Sequence, residues 1–245
     1  NNIIIMKKYV FLFSFIFFLS CSENEDNSLT QMGRVAEISL DYTEQSLSVT
    51  IPPQLNEQDI ICNLRHDSYW INDILASKEH IKFHVELNSD HSKGYRSDTI
   101  DLFCKGVNVG YIEVYQARHP MSLQKLTWGP DILLSLPKGD GKKETEMLYH
   151  FCKNSDGRYS LSDFPAFAYC IEMNHNPEKN MEWYLPSERS EKYREVSNNN
   201  YPFDFWSSTE YSRETVDIRK WASNNEQHLT IAAFKNDRFY VYAVR

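Results

Sequence analysis

Apolar residues follow three regimes along the chain. From Tyr9 to Leu19 (YVFLFSFIFFL) they run almost without interruption. From residue 34 to 117 they alternate with polar ones, in the sets Ala36, Ile38, Leu40, Tyr42; Leu47, Val49, Ile51; Ile60, Cys62, Leu64; Ile81, Phe83, Val85, Leu87; Ile100, Leu102, Cys104; and Val107, Val109, Tyr111. A period of two puts every second side chain on one face, so each set predicts a strand with one buried face. Turn-like breaks at Pro52-Pro53, Asn88 to Gly94 and Lys105-Gly106 separate the sets. Together they predict an all-β antiparallel sandwich.

Roughly seven short strands with regularly spaced turns make that sandwich, expected over 34–117, immunoglobulin-like. Beyond a short linker, 118–123, the alternation fades. Met147, Leu148 and Phe151 fall at helical spacing, and Asp163 followed by Pro165, Phe167, Ala168 and Ile171 reads as a capped helix with proline in its first turn. Pro186-Ser187 opens a polar helix, Glu188 to Val196, with Glu188 and Lys192 at i,i+4. At the end, His228 to Lys235 and Phe239 to Val244 flank Asn236-Asp237-Arg238, which predicts a tight hairpin on left-handed Asn or Asp. Helices first and strands last predict an α+β domain over 124–245.

Lys7 and Lys8 precede the apolar run, and together they resemble a signal peptide starting at Met6, with residues 1–5 an upstream extension. The run has 11 residues, whereas a helix crossing a hydrocarbon core needs about 20. It ends in Phe18-Leu19-Ser20-Cys21, which resembles a bacterial lipobox with Cys21 as the lipidated residue and Phe18 in place of the usual aliphatic. A plain cleaved leader is the alternative. Ser22-Glu23-Asn24-Glu25-Asp26 resembles the surface-export signal of Bacteroidetes lipoproteins and begins an acidic tether, 22–33. The expectation is an exported chain, lipid-anchored to the outer membrane and exposed at the surface, touching membrane through its anchor only.

Charge and cysteine count refine this picture. The net charge is −8, and without Lys7 and Lys8 the remaining 24 basic and 34 acidic residues give −10. Nucleic acid is not expected as a partner, because no basic cluster is present to release phosphate counterions. With Cys21 assigned to lipid, Cys62, Cys104, Cys152 and Cys170 remain, an even number in an oxidising compartment. Cys62 and Cys104 are in phase with apolar neighbours and flank Trp70, which predicts an inter-sheet disulfide beside a core tryptophan; a buried free pair is the alternative. A bridge across the 18-residue interval from Cys152 to Cys170 would stabilise by about 3 kcal/mol. His150 and His175 allow a Cys₂His₂ zinc site there instead, but export favours the disulfide. His80 and His84 would share a helix face, yet their surroundings alternate as a strand does, so no metal or other cofactor is expected.

Two resemblances rest on ordered residues. Tyr69-Trp70-Ile71, the run Ile81 to Asn88, Arg96, Thr99-Ile100 and Ile112 to Gln116 resemble the BACON domain, the Bacteroidetes-associated carbohydrate-binding module often found N-terminally. That resemblance implies glycan binding or a spacer role. Tyr169-Cys170, Trp183-Tyr184-Leu185-Pro186-Ser187, Phe205-Trp206-Ser207-Ser208-Thr209-Glu210, Lys235 and Tyr242-Ala243-Val244-Arg245 resemble a C-type-lectin-like family of bacterial surface proteins, typified by the C-terminal domain of collagen-like adhesins and by fibrobacter-type major paralogous domains. It implies a surface-displayed binding or adhesion domain without known catalysis. The Glu-Pro-Asn, Gln-Pro-Asp and Trp-Asn-Asp strings of calcium-dependent sugar sites are absent from 124–245. Asp98-Thr99-Ile100 resembles a short O-glycosylation site of exported Bacteroidetes proteins.

The expected function is therefore non-catalytic binding of glycan or a surface protein. A structural component of a cell-surface or fimbria-like complex is the alternative, and an exported hydrolase the third reading. No G-x-S-x-G, H-E-x-x-H, P-loop or G-x-G-x-x-G string occurs. Asp156 with Asp163, or Glu188 with Glu191, are the acidic pairs a glycosidase reading would use. Trp128, Tyr201, Tyr211 and Trp221 lie among polar residues, and aromatic faces on loops can stack on sugar rings, so these four are the ligand candidates. Trp183 and Trp206 read as core.

Overall fold

A computed structural model describes residues 33–55, 59–193, 203–222 and 227–245, with the backbone alone at 221, 222, 227 and 228. Cys21, the tether as far as residue 32 and Tyr201 lie outside the described residues. The chain is β-rich: strands β1 Arg34–Leu40, β2 Gln45–Thr50, β3 Ile60–Leu64, β4 Ile71–Ala76, β5 His80–Val85, β6 Tyr95–Cys104 and β7 Val107–Ala117 precede helices α1 Gly141–Lys153 and α2 Pro165–Ile171, and β8 Phe205–Glu210, β9 Thr215–Ala222 and β10 Gln227–Phe234 follow. Two compact units result. The first takes residues up to Ile38, Gln45–Val85 and Asp98–Val114; the second takes Ser39–Glu44, Glu86–Ser97 and Tyr115–Arg245.

In the first unit the strands order as β1-β7-β6-β3 and β2-β5-β4. Alternation decides their faces. On β5, Ile81, Phe83 and Val85 are buried, and His80, Lys82 and His84 point the other way, opposite Thr50, Ser48 and Ser46. Ile100, Leu102, Val109, Ile112 and Val114 are buried on the other sheet, and Trp70 is buried too. Each such side chain contributes about 1.5–3 kcal/mol. The β6–β7 turn is Lys105-Gly106, both at positive φ, as a two-residue type I′ hairpin requires. Thr99 lies buried in the middle of β6, so the glycosylation-like string does not present its hydroxyl.

The expected inter-sheet bridge is corrected here. Cys62 pairs with Leu102 and Cys104 with Ile60, so the two cysteines are diagonal neighbours on adjacent strands of one sheet. Diagonal positions are about 7–8 Å apart, beyond disulfide reach. Both thiols are free, as are Cys152 on α1 and Cys170 on α2, where the second bridge was expected.

In the second unit α1 starts at Asp140, whose carboxylate accepts from Lys143 N at 3.1 Å, and it buries Leu148 and Cys152. Pro165 occupies the first turn of α2, but Phe164 is its cap; Asp163 instead closes a capping box with Ser160. Only 191–193 of the expected 188–196 helix is helical within the described residues. The C-terminal hairpin is also corrected. Phe239, Tyr240, Tyr242 and Val244 bridge to Leu126, Phe205, Met121 and Tyr184, not to β10. The reason is burial: Val241, Ala243 and Val244 lie in the core, which pairing with an exposed strand could not offer.

Three strings singled out in the sequence meet in this unit. Ser208 N donates to Pro186 O (2.9 Å), the Ser187 and Thr209 hydroxyls are 3.1 Å apart, and Tyr184 and Val244 exchange two backbone bonds of 3.0 Å. Asn88, Arg96 and Gln116 also come together. Arg96 Nε donates to Gln116 Oε1 (2.8 Å), Gln116 Nε2 to Thr43 O and Glu86 O, and Asn88 Nδ2 to Ala117 O (3.0 Å). Gln116 and Asn88 are almost completely buried, so this network stabilises the second unit by filling buried polar valences.

Candidate functional site

β9 alternates: Val216 and Ile218 are buried, and Thr215, Asp217 and Arg219 take the opposite face. β10 pairs with it in the register Phe234↔Thr215, Ala232↔Asp217 and Thr230↔Arg219. On the other side Glu210 faces Val216, and Tyr211 N donates to Thr215 O at 3.0 Å, which sets Tyr211 opposite Thr215. Directly paired residues share a face. Tyr211, Thr215 and Phe234 therefore form one outward row across three adjacent chain segments, with Tyr211 65% and Phe234 56% exposed. This row is the open part of the face; β8 itself is buried on both sides.

The row is flanked by charge. The Lys138 ammonium lies 5.9 Å from the centre of the Tyr211 ring. Asp217 is next outward along β9, and partial burial, then the nearby Glu188 charge, push its carboxyl above the usual carboxylate range, while Lys138 and Arg189 pull it back. Glu188 accepts from Thr230 Oγ1 (3.1 Å), lies 3.7 Å from Arg189 and is tied by its N–H to Thr209 Oγ1 (3.1 Å). Each carboxylate thus has a cation close by. The arrangement offers hydrogen-bond acceptors and donors beside two flat apolar rings.

A buried polar centre holds this face in place. Lys235 is fully buried; its ammonium donates to Glu210 Oε1 (2.5 Å) and Ile132 O (2.6 Å) and lies 4.6 Å from the Trp128 ring centre. Glu210 also accepts from Leu134 N (3.0 Å) and from Ser135 N (2.8 Å), which is held at φ +55°. These bonds fix the 131–138 loop that carries Lys138, and Glu210 favours the charged ammonium against the burial that lowers its pKa. Every group is occupied, so the centre is architectural.

The ligand candidates separate accordingly. Trp128 is corrected: it is fully buried, its indole N–H donates to Ser207 O (2.9 Å), and Phe164 and Phe167 meet it edge-on. Its polar sequence neighbours belong to a loop that packs it inward. Tyr211 is on the open face. Trp221 is on β9 opposite His228. Phe234 was missed, because nothing in Thr230 to Phe234 marks which side of a strand stays uncovered. Of the acidic pairs, Asp163 is spent on its capping box and Asp156 sits in a turn at φ +52°. The Cys62 and Cys152 thiols are pushed up to about 11 by burial and are no nucleophiles at neutral pH. A small crevice lined by Tyr95, Tyr115, His175 and Trp183 is taken up by the Tyr115–His175 stack, with ring centres 4.0 Å apart.

No family model matches the chain, and no curated protein does. Among solved structures it has a likeness to a Bacteroides ovatus GH5 xyloglucanase in complex with a XXXG heptasaccharide, at 13% identity and a TM-score of 0.25, over 47% of this chain and 23% of that one. The chain thus spans less than a quarter of that protein's length, and a likeness this low carries no argument. Among the described residues no helix is long and apolar enough to cross a membrane, and no three His, Cys, Asp or Glu residues gather as a metal site.

Proposed function

We propose that this protein is an exported, lipid-anchored surface binding protein, non-catalytic, that recognises glycan through the exposed end of the β9–β10 face beside Tyr211. The observation that carries this is the outward row Tyr211, Thr215, Phe234 with Asp217 beside it. Sugar rings present apolar C–H faces and a rim of hydroxyls, so a site needs uncovered aromatic planes next to carboxylates. Exposed aromatics of this size in one row are otherwise a solubility liability. The BACON-like, immunoglobulin-like reading of the first unit draws support from its antiparallel strands in a four-stranded and a three-stranded sheet. The C-type-lectin-like reading of the second draws support from the meeting of its three strings. A glycan array with the intact chain and with Asp217→Ala tests the proposal: binding weakened by the substitution supports it, and silence over host and plant glycans would end it.

A role in assembly is the second reading, favoured by β10. It is an edge strand among the described residues, exposed from Leu229 to Ala232, and it has neither proline nor lysine to discourage strand pairing. Purification with stoichiometric protein partners that Ile231→Lys releases would move the function there.

A further inference from the structure

The geometry points to a specific ligand shape: we infer that the open face takes a neutral, extended, equatorially 1,4-linked pyranose chain of at least three rings, lying across the strands. This rests on the glycan reading above. Tyr211 and Phe234 flank Thr215 in register. Adjacent strands are about 4.8 Å apart, so the two aromatic positions are about 10 Å apart. In a straight chain of equatorially linked pyranoses the advance per ring is close to one strand spacing. Rings one and three then fall on Tyr211 and Phe234, and the middle ring passes over Thr215, whose side chain is small enough to leave room. A single ring or a disaccharide reaches only one platform. A chain that coils, as α-1,4-linked glucose does, turns its third ring off the plane of the sheet.

Neutrality follows from the flanking groups. Asp217 and Glu188 stand beside Lys138 and Arg189, so the flanking charge is balanced and favours neither an anionic nor a cationic ring, while the carboxylates can accept from sugar hydroxyls.

Calorimetric titration of the intact chain with two-, three- and four-ring β-1,4-linked glucose, mannose and xylose oligomers, and with three-ring α-1,4-linked glucose, tests this. In at least one β series, affinity should rise roughly tenfold or more from two rings to three and little from three to four. Tyr211→Ala and Phe234→Ala should each weaken the three-ring ligand to about the affinity of the native chain for two rings. Binding that does not depend on ring number, or that is equal for the α-linked trimer, would overturn the inference and leave a glycan-binding face. Binding of no glycan at all, here or on the array, would remove the glycan reading itself.

Discussion

Lys235 illustrates what one buried charge does in this molecule. Its ammonium is shared by Glu210, the Ile132 carbonyl and the Trp128 ring, and Glu210 in turn holds the backbone of Leu134 and Ser135. Replacing it by methionine leaves a buried carboxylate without its cation, so Lys235→Met should destabilise the fold by about 3–5 kcal/mol in chemical denaturation; a loss under about 1 kcal/mol would show the pair to be dispensable. Glu144 poses the opposite case. It is fully buried in the first turn of α1, accepts from the Ser208 hydroxyl and from Gly139 N (2.9 Å), and burial raises its pKa above 4.5. A raised folded pKa contributes stability that is complete below the unfolded value and lost as pH rises through the folded one. Glu144→Gln cannot titrate. The variant's stability relative to the native chain should therefore rise as pH increases above the ordinary carboxylate range, and a fall there would contradict the assignment.

Elements show where the sequence could be read and where it could not. Alternation placed β1, β2, β3 and β5, where one covered face gives period two; on β6 Asp98 to Leu102 are all buried, and on β7 the buried phase shifts to Ile112, Val114 and Gln116 and leaves Val107 exposed. β4 escaped it. Asp73 adopts φ +50° and the register shifts between Asn72 and Leu75, so a bulge breaks the period that would have marked the strand. Phe239 to Val244 alternates well, yet pattern alone cannot say which partner a strand chooses, and here burial against Leu126, Tyr184 and Phe205 prevails over the nearest strand. Trp128 misled for a related reason: polar neighbours in sequence say nothing about which residue of a loop turns inward. Cysteine parity was a poor guide as well, since it counts residues but not distances. The four thiols on β3, β6, α1 and α2 should therefore all titrate on unfolding without reductant, and the denaturation midpoint should not move when reductant is added. A drop of about 3 kcal/mol on reduction would instead reveal a bridge.

At the scale of the whole molecule, the acidic chain of net charge −8 divides into two units, and the residues proposed to act all belong to the second. Within it the buried strings do one job and the open face another. Trp206, Ser207, Ser208, Thr209 and Glu210 tie β8 to Leu126, Asp217, Glu144, Ser187 and Lys235 in turn, which makes the sheet a rigid support. Tyr211 begins where that anchoring stops. Rigid support under exposed rings lowers the entropic cost of binding. Equilibrium binding of the best array ligand to the native chain and to the Tyr211→Ala, Phe234→Ala double variant tests this division of labour most directly. We expect binding at least about a hundredfold weaker in the double variant, with stability within about 0.5 kcal/mol of the native chain; undiminished affinity in a folded double variant would place recognition elsewhere.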